Sequence, residues 1–230
     1  MPQIVIEQRD LMMFGNTWTK NGGSLSRTPP YSSGELGFLF DHAIGNALAV
    51  LLGNIPVVVP SSTALTPAQS DCVEVGPVRV VGGVRPQNFD VGYRPDGIRF
   101  AYDTKTLNDA KSVAKNWQNM INDLATEATT VHSRFPHAVV AFMVICPEPC
   151  VTLSRRKAMI ETLERLARRT SVDGSLYMAE AISFVLWKPD SGIIDNTIPD
   201  AASPLRIEKF SQQVEAAYVS RYKGLPPHAE

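Results

Sequence analysis

The chain has 230 residues, of which 44% are hydrophobic and 20% are charged, and its formal net charge is −1 at pH 7. This composition is ordinary for a soluble globular protein, and the length predicts one domain spanning residues 1–230. The near-zero charge excludes the global basic signature of many nucleic-acid-binding proteins, so DNA binding would need a local cluster of Lys and Arg.

The cysteines and the N-terminus predict a cytoplasmic protein. Cys72, Cys146 and Cys150 are an odd number and lack the Cys or His partners of a metal site, so we interpret them as reduced thiols. Residues 1–7 lack the basic and apolar regions of a signal peptide. The longest apolar run, 138–146, is too short to cross a membrane, so no membrane partner is expected.

Residues 1–33 are predicted to form an irregular N-terminal arm, because they show little periodicity and contain several turn-forming residues. A first helix is predicted over 34–52, with Ser32 and Glu35 at the spacing of a capping box. The core of the domain is therefore expected to start at this helix.

Asp41 lies within the predicted helix, with Gly37 and Gly45 one turn before and after it on the same face. Such small neighbours let another backbone, or a ligand, approach the carboxylate. Asp41 is therefore a candidate ligand; a solvated helix acid and a salt-bridge partner are the alternatives.

Three consecutive antiparallel strands are predicted after a short apolar segment at 55–60. The first covers 73–84 and is interrupted by a Gly-Pro pair. The other two form a hairpin over 88–106, NFDVGYRPDGIRFAYDTKT, in which the Pro-Asp-Gly tripeptide at 95–97 favours the turn.

The descending strand of the hairpin places Asp103 and Lys105 on one face, about 7 Å apart, because side chains on a strand alternate. Asp90 lies on the ascending strand. A two- or four-residue loop would put Asp90 on the same face as Asp103, whereas a three-residue loop with a Gly bulge would turn it away. The sequence leaves both registers open.

The remaining elements complete an α/β arrangement, with a mixed central sheet flanked by helices. After the hairpin they are a helix at 107–131, a buried strand at 137–146, a helix at 152–169, a strand at 179–188, and a loop and C-terminal helix within 189–230. The core over 34–188 therefore reads helix, three antiparallel strands, helix, strand, helix, strand.

An Asp on one strand, then twelve residues and Asp-x-Lys on the next strand before an amphipathic helix, resembles the signature of the PD-(D/E)xK nuclease superfamily. The resemblance is greatest to type II restriction endonucleases, covers about 34–188 and implies their αβββαβ core. It implies catalytic roles for Asp90, Asp103 and Lys105, with Phe89 in place of the usual proline.

The resemblance also implies a Mg²⁺ cofactor. Its ligands would be Asp90, Asp103 and the carbonyl of Thr104, with Asp41 from the first helix as a further ligand. These oxygens suit Mg²⁺, which lowers the pKa of a bound water and stabilises charge on a phosphate. Lys105 would orient that water or help to deprotonate it.

The expected function is a Mg²⁺-dependent, sequence-specific endonuclease of double-stranded DNA, a type II restriction enzyme, for which the resemblance implies a homodimer. A resolvase or DNA-repair nuclease of the same fold is one alternative. A non-catalytic DNA-binding module is another, in which the Asp and Lys residues would be ordinary surface residues.

Five residues near the predicted site have side chains able to reach phosphates or base edges. Arg85, Gln87 and Asn88 lie on the approach to Asp90. Lys111 and Lys115 are one turn apart at the start of the following helix. A solvated surface is the alternative for all five.

Overall fold

A seven-stranded mixed β-sheet forms the centre of the molecule in the computed structural model, which describes residues 1–61 and 63–225. The order of the strands in the sheet follows their order in the chain. The strands are β1 (Val57–Val58), β2 (Val73–Val81), β3 (Pro86–Tyr93), β4 (Phe100–Thr106), β5 (Val139–Pro147), β6 (Ala181–Lys188) and β7 (Ile193–Ile194).

Five α-helices of the described chain pack around the sheet. They are α1 (Gln8–Lys20), α2 (Ser33–Leu51), α3 (Val113–His132), α4 (Leu153–Leu166) and α5 (Ile207–Tyr222), and a short 3₁₀ turn, Glu148–Cys150, links β5 to α4. None of these helices combines the length and the apolar composition needed to cross a bilayer.

The sheet combines antiparallel and parallel pairing. Strands β2, β3 and β4 are antiparallel, whereas β4, β5 and β6 are parallel because α3 and α4 carry the chain back across the sheet. β5 is buried at every position, as expected for a strand covered on both faces. The predicted order of elements and the mixed α/β sheet are confirmed.

Helices cover both faces of the sheet. Phe210 of α5 meets the ring of Tyr102 on β4 edge to face at 6.1 Å, and α2 packs on the same face against β2, β3 and β4. On the opposite face α3 reaches Lys105 of β4, and α4 packs beside α3. The strands β3 and β4 therefore lie between α2 and α3.

The prediction of an irregular arm over 1–33 is wrong, because helix α1 occupies much of it. Its buried apolar side chains recur at i, i+3 and i+7, and they are Leu11, Phe14 and Trp18. Gly15, which suggested a turn, lies inside the helix. A Cβ at Gly15 would come within 1.8 Å of the carbonyl oxygen of Pro189, so this close approach requires glycine.

Helix α2 confirms the predicted first helix to within one residue at each end. The Ser32 side chain accepts a hydrogen bond from the backbone N–H of Glu35 at 3.2 Å, as the capping spacing predicts. This cap fixes the start of the helix that carries Asp41.

Helix α3 begins at Val113, six residues after the predicted start at 107. The N–H groups of Leu107 and Ala110 donate instead to carbonyls of β5 and of the α1–α2 loop. Lys111 therefore lies in a turn before the helix, and the prediction that it belongs to the first helical turn is wrong.

The predicted C-terminal segment 189–230 contains α5, which confirms the predicted helix. It also contains β7, in a region predicted as loop, because a turn closed by the N–H of Gly192 and the carbonyl of Lys188 folds the chain back onto β6. Residues 226–230 of this segment lie outside the described residues.

Candidate active site

Strands β3 and β4 separate at a fork next to Asp90. Their pairing ends at Val91 and Tyr102, whereas β3 stays paired with β2 as far as Pro86. Continuing the β3–β4 register by one residue places Asp90 opposite Asp103, and opposed residues of antiparallel strands share a face. We use "the fork" for this opening between Asp90 and the end of β4.

The loop between β3 and β4 decides this register. It spans six residues, 94–99, and an even number keeps Asp90 and Asp103 on one face. The loop is closed by the backbone N–H of Arg99, which donates to the Tyr93 carbonyl at 2.9 Å, and the Arg99 guanidinium donates two hydrogen bonds to Asp96, at 2.8 and 2.5 Å. The three-residue loop that would have turned Asp90 away is therefore excluded.

At the fork, the Asp90 carboxylate takes the place of a backbone carbonyl of β3 as hydrogen-bond acceptor. The backbone N–H of Thr104 donates to Asp90 Oδ2 at 2.8 Å. The N–H and C=O of one residue in a strand point to the same edge, so the Thr104 carbonyl also faces the fork. Asp90 and the Thr104 carbonyl, both predicted metal ligands, thus face the same opening.

Lys105 lies between two carboxylates on the α3 face of the sheet. Its Nζ donates to Asp103 Oδ2 at 2.5 Å and to Glu127 Oε1 at 2.7 Å. The structure thus brings together the Asp103 and Lys105 predicted from the hairpin pattern, and it adds Glu127 from α3.

Asp41 approaches the same strand from the other face. The Thr104 hydroxyl donates to Asp41 Oδ1 at 2.5 Å, and it also bonds the hydroxyl of Tyr102 at 2.7 Å. A Cβ at Gly45 would lie 2.3 Å from the Val75 side chain, so glycine lets α2 pack close to the sheet. Asp41 is consequently only 6% exposed and lies against β4.

The electrostatics of this carboxylate cluster (Asp41, Asp90, Asp103 and Glu127, with Lys105) are unbalanced, with four acids and one ammonium. Burial, then the hydrogen bond and charge of Asp103, raise the pKa of Asp90 to about 10. Burial also raises the pKa of Asp41 to about 7, although the bond from Thr104 opposes it. Burial and the charge of Asp103 raise the pKa of Glu127 to about 8.

Two members of the cluster shift so as to keep their charge. Burial alone would raise the pKa of Asp103, but the hydrogen bond from Asp90 and the charge of Lys105 outweigh it and hold the pKa below its usual value. Burial would lower the pKa of Lys105, but the charges of Asp103 and Glu127 raise it. Asp90 and Asp103 therefore share one proton, and Lys105 stays charged at neutral pH.

A cavity of about 290 Å³ opens beside Lys105. Its walls are Thr104, Lys105, Thr106 and Leu107 of the β4 end, and Asn116, Asn119, Met120 and Asp123 of α3. A larger cavity of about 520 Å³ lies along the 94–98 turn and is lined by no member of the carboxylate cluster. The smaller cavity is therefore the one next to the candidate chemistry.

The described residues contain no group of three or more His, Cys, Asp or Glu side chains already arranged to hold a metal ion. Lys105 occupies one oxygen of Asp103, and Thr104 donates to both Asp41 and Asp90. The predicted ligands are thus neighbours around one strand, and each of these hydrogen bonds uses only one oxygen of its carboxylate.

The predicted DNA-contacting residues differ in accessibility. Arg85, Asn88, Lys111 and Lys115 are exposed. Gln87 is buried, 9% exposed, and its side-chain oxygen has no partner among the described residues. The side chain of Gln87 is therefore buried within the β2–β3 hairpin. The other four side chains are accessible to DNA.

Glu127 is the site residue that the sequence interpretation missed. It lies on the buried stripe of α3 together with Met120, Leu124, Ala128 and Val131, and it is 5% exposed. A lone Glu at an inward position of an amphipathic helix was the available signal, because a buried carboxylate needs a partner.

Comparison of the chain with protein-family models, curated proteins and solved structures found no match. The resemblance to PD-(D/E)xK nucleases is therefore supported only by the residues and geometry of this chain.

Proposed function

We propose that the protein is a Mg²⁺-dependent endonuclease that hydrolyses phosphodiester bonds of double-stranded DNA, with an active site of the PD-(D/E)xK kind. One observation carries the proposal. The strand fork brings Asp90, Asp103 and Lys105 together, although Asp90 lies on a different strand from the other two. A surface hairpin with chance acids has no reason to bury them at a break in the sheet.

The chemistry of the cluster suits a divalent cation. All donors are carboxylate or carbonyl oxygens, which Mg²⁺ prefers. Burial first, and then the charge of Asp103, raise the pKa values of Asp41, Asp90 and Glu127, so these carboxyl groups hold protons that a cation could replace. Asp90, Asp103 and the Thr104 carbonyl would hold the ion, with Asp41 supporting them from α2. When bound, the cation would supply Lewis acidity toward a phosphate and lower the pKa of water.

The residues of the chain divide the remaining work. Lys105 stays protonated at neutral pH, so it contributes positive charge and hydrogen bonds to the scissile phosphate rather than acting as the base. Thr104 connects Asp41 and Asp90 through its hydroxyl and N–H and so keeps both carboxylates at the fork. The cavity bounded by Asn116 and Asn119 gives the backbone of DNA access to Lys105.

Sequence-specific restriction is the form of this activity that the resemblance favours, with a homodimer cutting one strand per subunit. Arg85 and Asn88 at the β2–β3 hairpin, Lys111 in the turn before α3 and Lys115 on α3 are exposed and would contact the DNA.

The test is incubation of the purified protein with plasmid and phage DNA in Mg²⁺, with EDTA as the control. The expected result is a discrete band pattern that EDTA and Asp103→Asn abolish and Glu161→Gln, an exposed change on α4, leaves intact. A smear, or a preference for branched DNA, would favour a repair nuclease or a resolvase. The absence of cleavage on plain, methylated and branched DNA would refute the nuclease.

A further inference from the structure

We propose that Glu127 is a positioning residue, whose carboxylate holds the Lys105 ammonium at the fork while Asp103 serves a metal ion. The inference rests on the proposed function and assigns a role to a residue outside the Asp–Asp-x-Lys pattern. Lys105 Nζ lies 2.7 Å from Glu127 Oε1 and 2.5 Å from Asp103 Oδ2, so the two carboxylates are its anchors.

The location of Glu127 argues against a purely structural carboxylate. It lies on the sheet-facing stripe of α3, one turn after Leu124 and one turn before Val131, where an apolar side chain would pack without desolvating a charge. Its Oε1 accepts from Lys105, and its Oε2 is buried without a partner among the described residues. The hydrogen-bond partner of this carboxyl group is therefore the lysine.

The two anchors of Lys105 differ in what else they must do. Asp103 accepts from Lys105 through Oδ2 and is also a proposed metal ligand, so its oxygens would be divided between partners. Glu127 lies next to both Asp103 and Lys105, but it is not a proposed metal ligand, and Lys105 is its ion-pair partner. A lysine held by Asp103 alone would lose its position whenever that carboxylate turned to a cation. Glu127 keeps the ammonium in place.

The geometry leaves the lysine free to act. An ammonium has three N–H donors, and the described residues supply partners for two of them. Lys105 is 21% exposed at its side chain and lines the 290 Å³ cavity. The third donor is thus available to a phosphate oxygen or a water entering that cavity.

The test compares wild type with Glu127→Gln, which keeps the side-chain size but removes the ionisable carboxyl group. In Mg²⁺ we expect kcat for DNA cleavage to fall about 10- to 100-fold with little change in KM, and Glu127→Asp to restore part of it. Glu161→Gln is the matched control on an exposed helix face. In a Lys105→Ala background, Glu127→Gln should have no further effect on the residual rate.

A second measurement does not depend on cleavage. Lys105 in the intact protein is acetylated with a water-soluble active ester, and the rate at this residue is followed by mass spectrometry. We expect Glu127→Gln to accelerate the labelling of Lys105 several-fold, while lysines on α4 and α5 keep their rates. Mg²⁺ affinity, measured by calorimetry, should change little.

The outcomes separate this inference from the proposed function. An unchanged labelling rate of Lys105 in Glu127→Gln overturns the positioning role, whatever the nuclease does. Loss of Mg²⁺ binding in that variant also overturns it, by making Glu127 a metal ligand. A wild-type protein that cleaves no DNA overturns the proposed function and the role together, and faster labelling would then report only a structural ion pair.

Discussion

Two buried charge clusters of this protein are balanced in opposite ways. In the first, Glu180 is the only carboxylate among the described residues, and its Oε1 accepts hydrogen bonds from Arg169 and Arg221, each at 2.8 Å. Its Oε2 accepts from the backbone N–H of Val140 at 2.7 Å and lies 3.2 Å from His132 Nε2. In the carboxylate cluster at the fork, four acids surround Lys105 alone.

The pKa shifts of the acids express this difference. Burial alone would raise the pKa of Glu180, but the hydrogen bond and charge of His132 and the charge of Arg221 hold it below its usual value. At the fork, the pKa values of Asp41, Asp90 and Glu127 are raised instead. In the same fold, Glu180 is thus paired with several positive side chains, whereas the four acids at the fork share one lysine.

This difference in charge balance suggests that the Glu180 cluster stabilises the fold and that the carboxylate cluster is the place for chemistry. The Glu180 cluster ties together the end of α3, the segment after α4, the start of β6, and α5, so it holds elements of the fold in place. The carboxylate cluster gathers four acids around one lysine beside a cavity, so Asp90 and Glu127 keep protons at neutral pH, and the chemistry is expected there.

The largest expected effect is on activity, from Lys105→Ala. Removing the one ammonium of the carboxylate cluster should lower DNA cleavage about 1000-fold, or about 4 kcal/mol of transition-state stabilisation, with the fold retained. Single-turnover cleavage of plasmid DNA measures it. Lys157→Ala, an exposed lysine on α4, is the control. Activity within about tenfold of wild type would remove Lys105 from the mechanism.

The second effect is on stability, from Glu180→Gln. Arg169 and Arg221 would then be buried without their anion, and the free energy of unfolding should fall by about 3–5 kcal/mol. Urea denaturation measures the loss, with Glu161→Gln expected to change it by less than about 0.5 kcal/mol. The cleavage rate per folded molecule should stay at the wild-type value. A Glu180→Gln variant with wild-type stability but no cleavage activity would show that Glu180 serves activity and not stability.

Much of the fold could be predicted from the sequence because its signals are local. The capped helix α2, the continuous apolar run of β5 and the order of elements between them all follow from short-range pattern. Helix α1 was missed because Gly15 suggested a turn. Glycine is needed at this position because Pro189, distant in the sequence, packs against the helix there.

The site could be predicted only in part, for the same reason. Asp103 and Lys105 share a strand face by alternation alone, so their proximity was predictable. The position of Asp90 depended on the length of the loop between β3 and β4, for which the Pro-Asp-Gly sequence allowed more than one value. Glu127 is brought to Lys105 by the crossing of α3 over the sheet, and no local pattern encodes that contact.

The third effect is a pH dependence of opposite sign in the two clusters. The pKa of Asp90 is raised from its ordinary 3.8 to about 10, so the folded state holds a proton that the unfolded state has lost, and stability falls as pH rises between these values. The pKa of Glu180 is lowered, so its contribution is present above the ordinary value of 4.5 and is lost as pH falls through the folded value.

Asp90→Asn isolates the Asp90 contribution. Between pH 5 and 8 the wild type should lose about 2 kcal/mol more than the variant, less than the full linkage value because the carboxyl is partly accessible to water. Urea denaturation across this range measures it, and exposed Asp173→Asn should follow the wild type. Parallel curves for wild type and Asp90→Asn would show that Asp90 ionises normally.

The smallest effect is stabilisation by Mg²⁺, which tests the charge imbalance directly. A site with a dissociation constant of about 2 mM would add about 1 kcal/mol at about 10 mM Mg²⁺, a rise of a few degrees in Tm. The reason is that a divalent cation replaces protons on carboxylates that one ammonium cannot neutralise. Asp103→Asn should lose this rise, and Glu161→Gln should keep it, at constant ionic strength. An equal rise of Tm in both variants would assign the stabilisation to general salt effects. The Glu180 cluster is not expected to bind the cation, because its carboxylate is already paired with positive side chains.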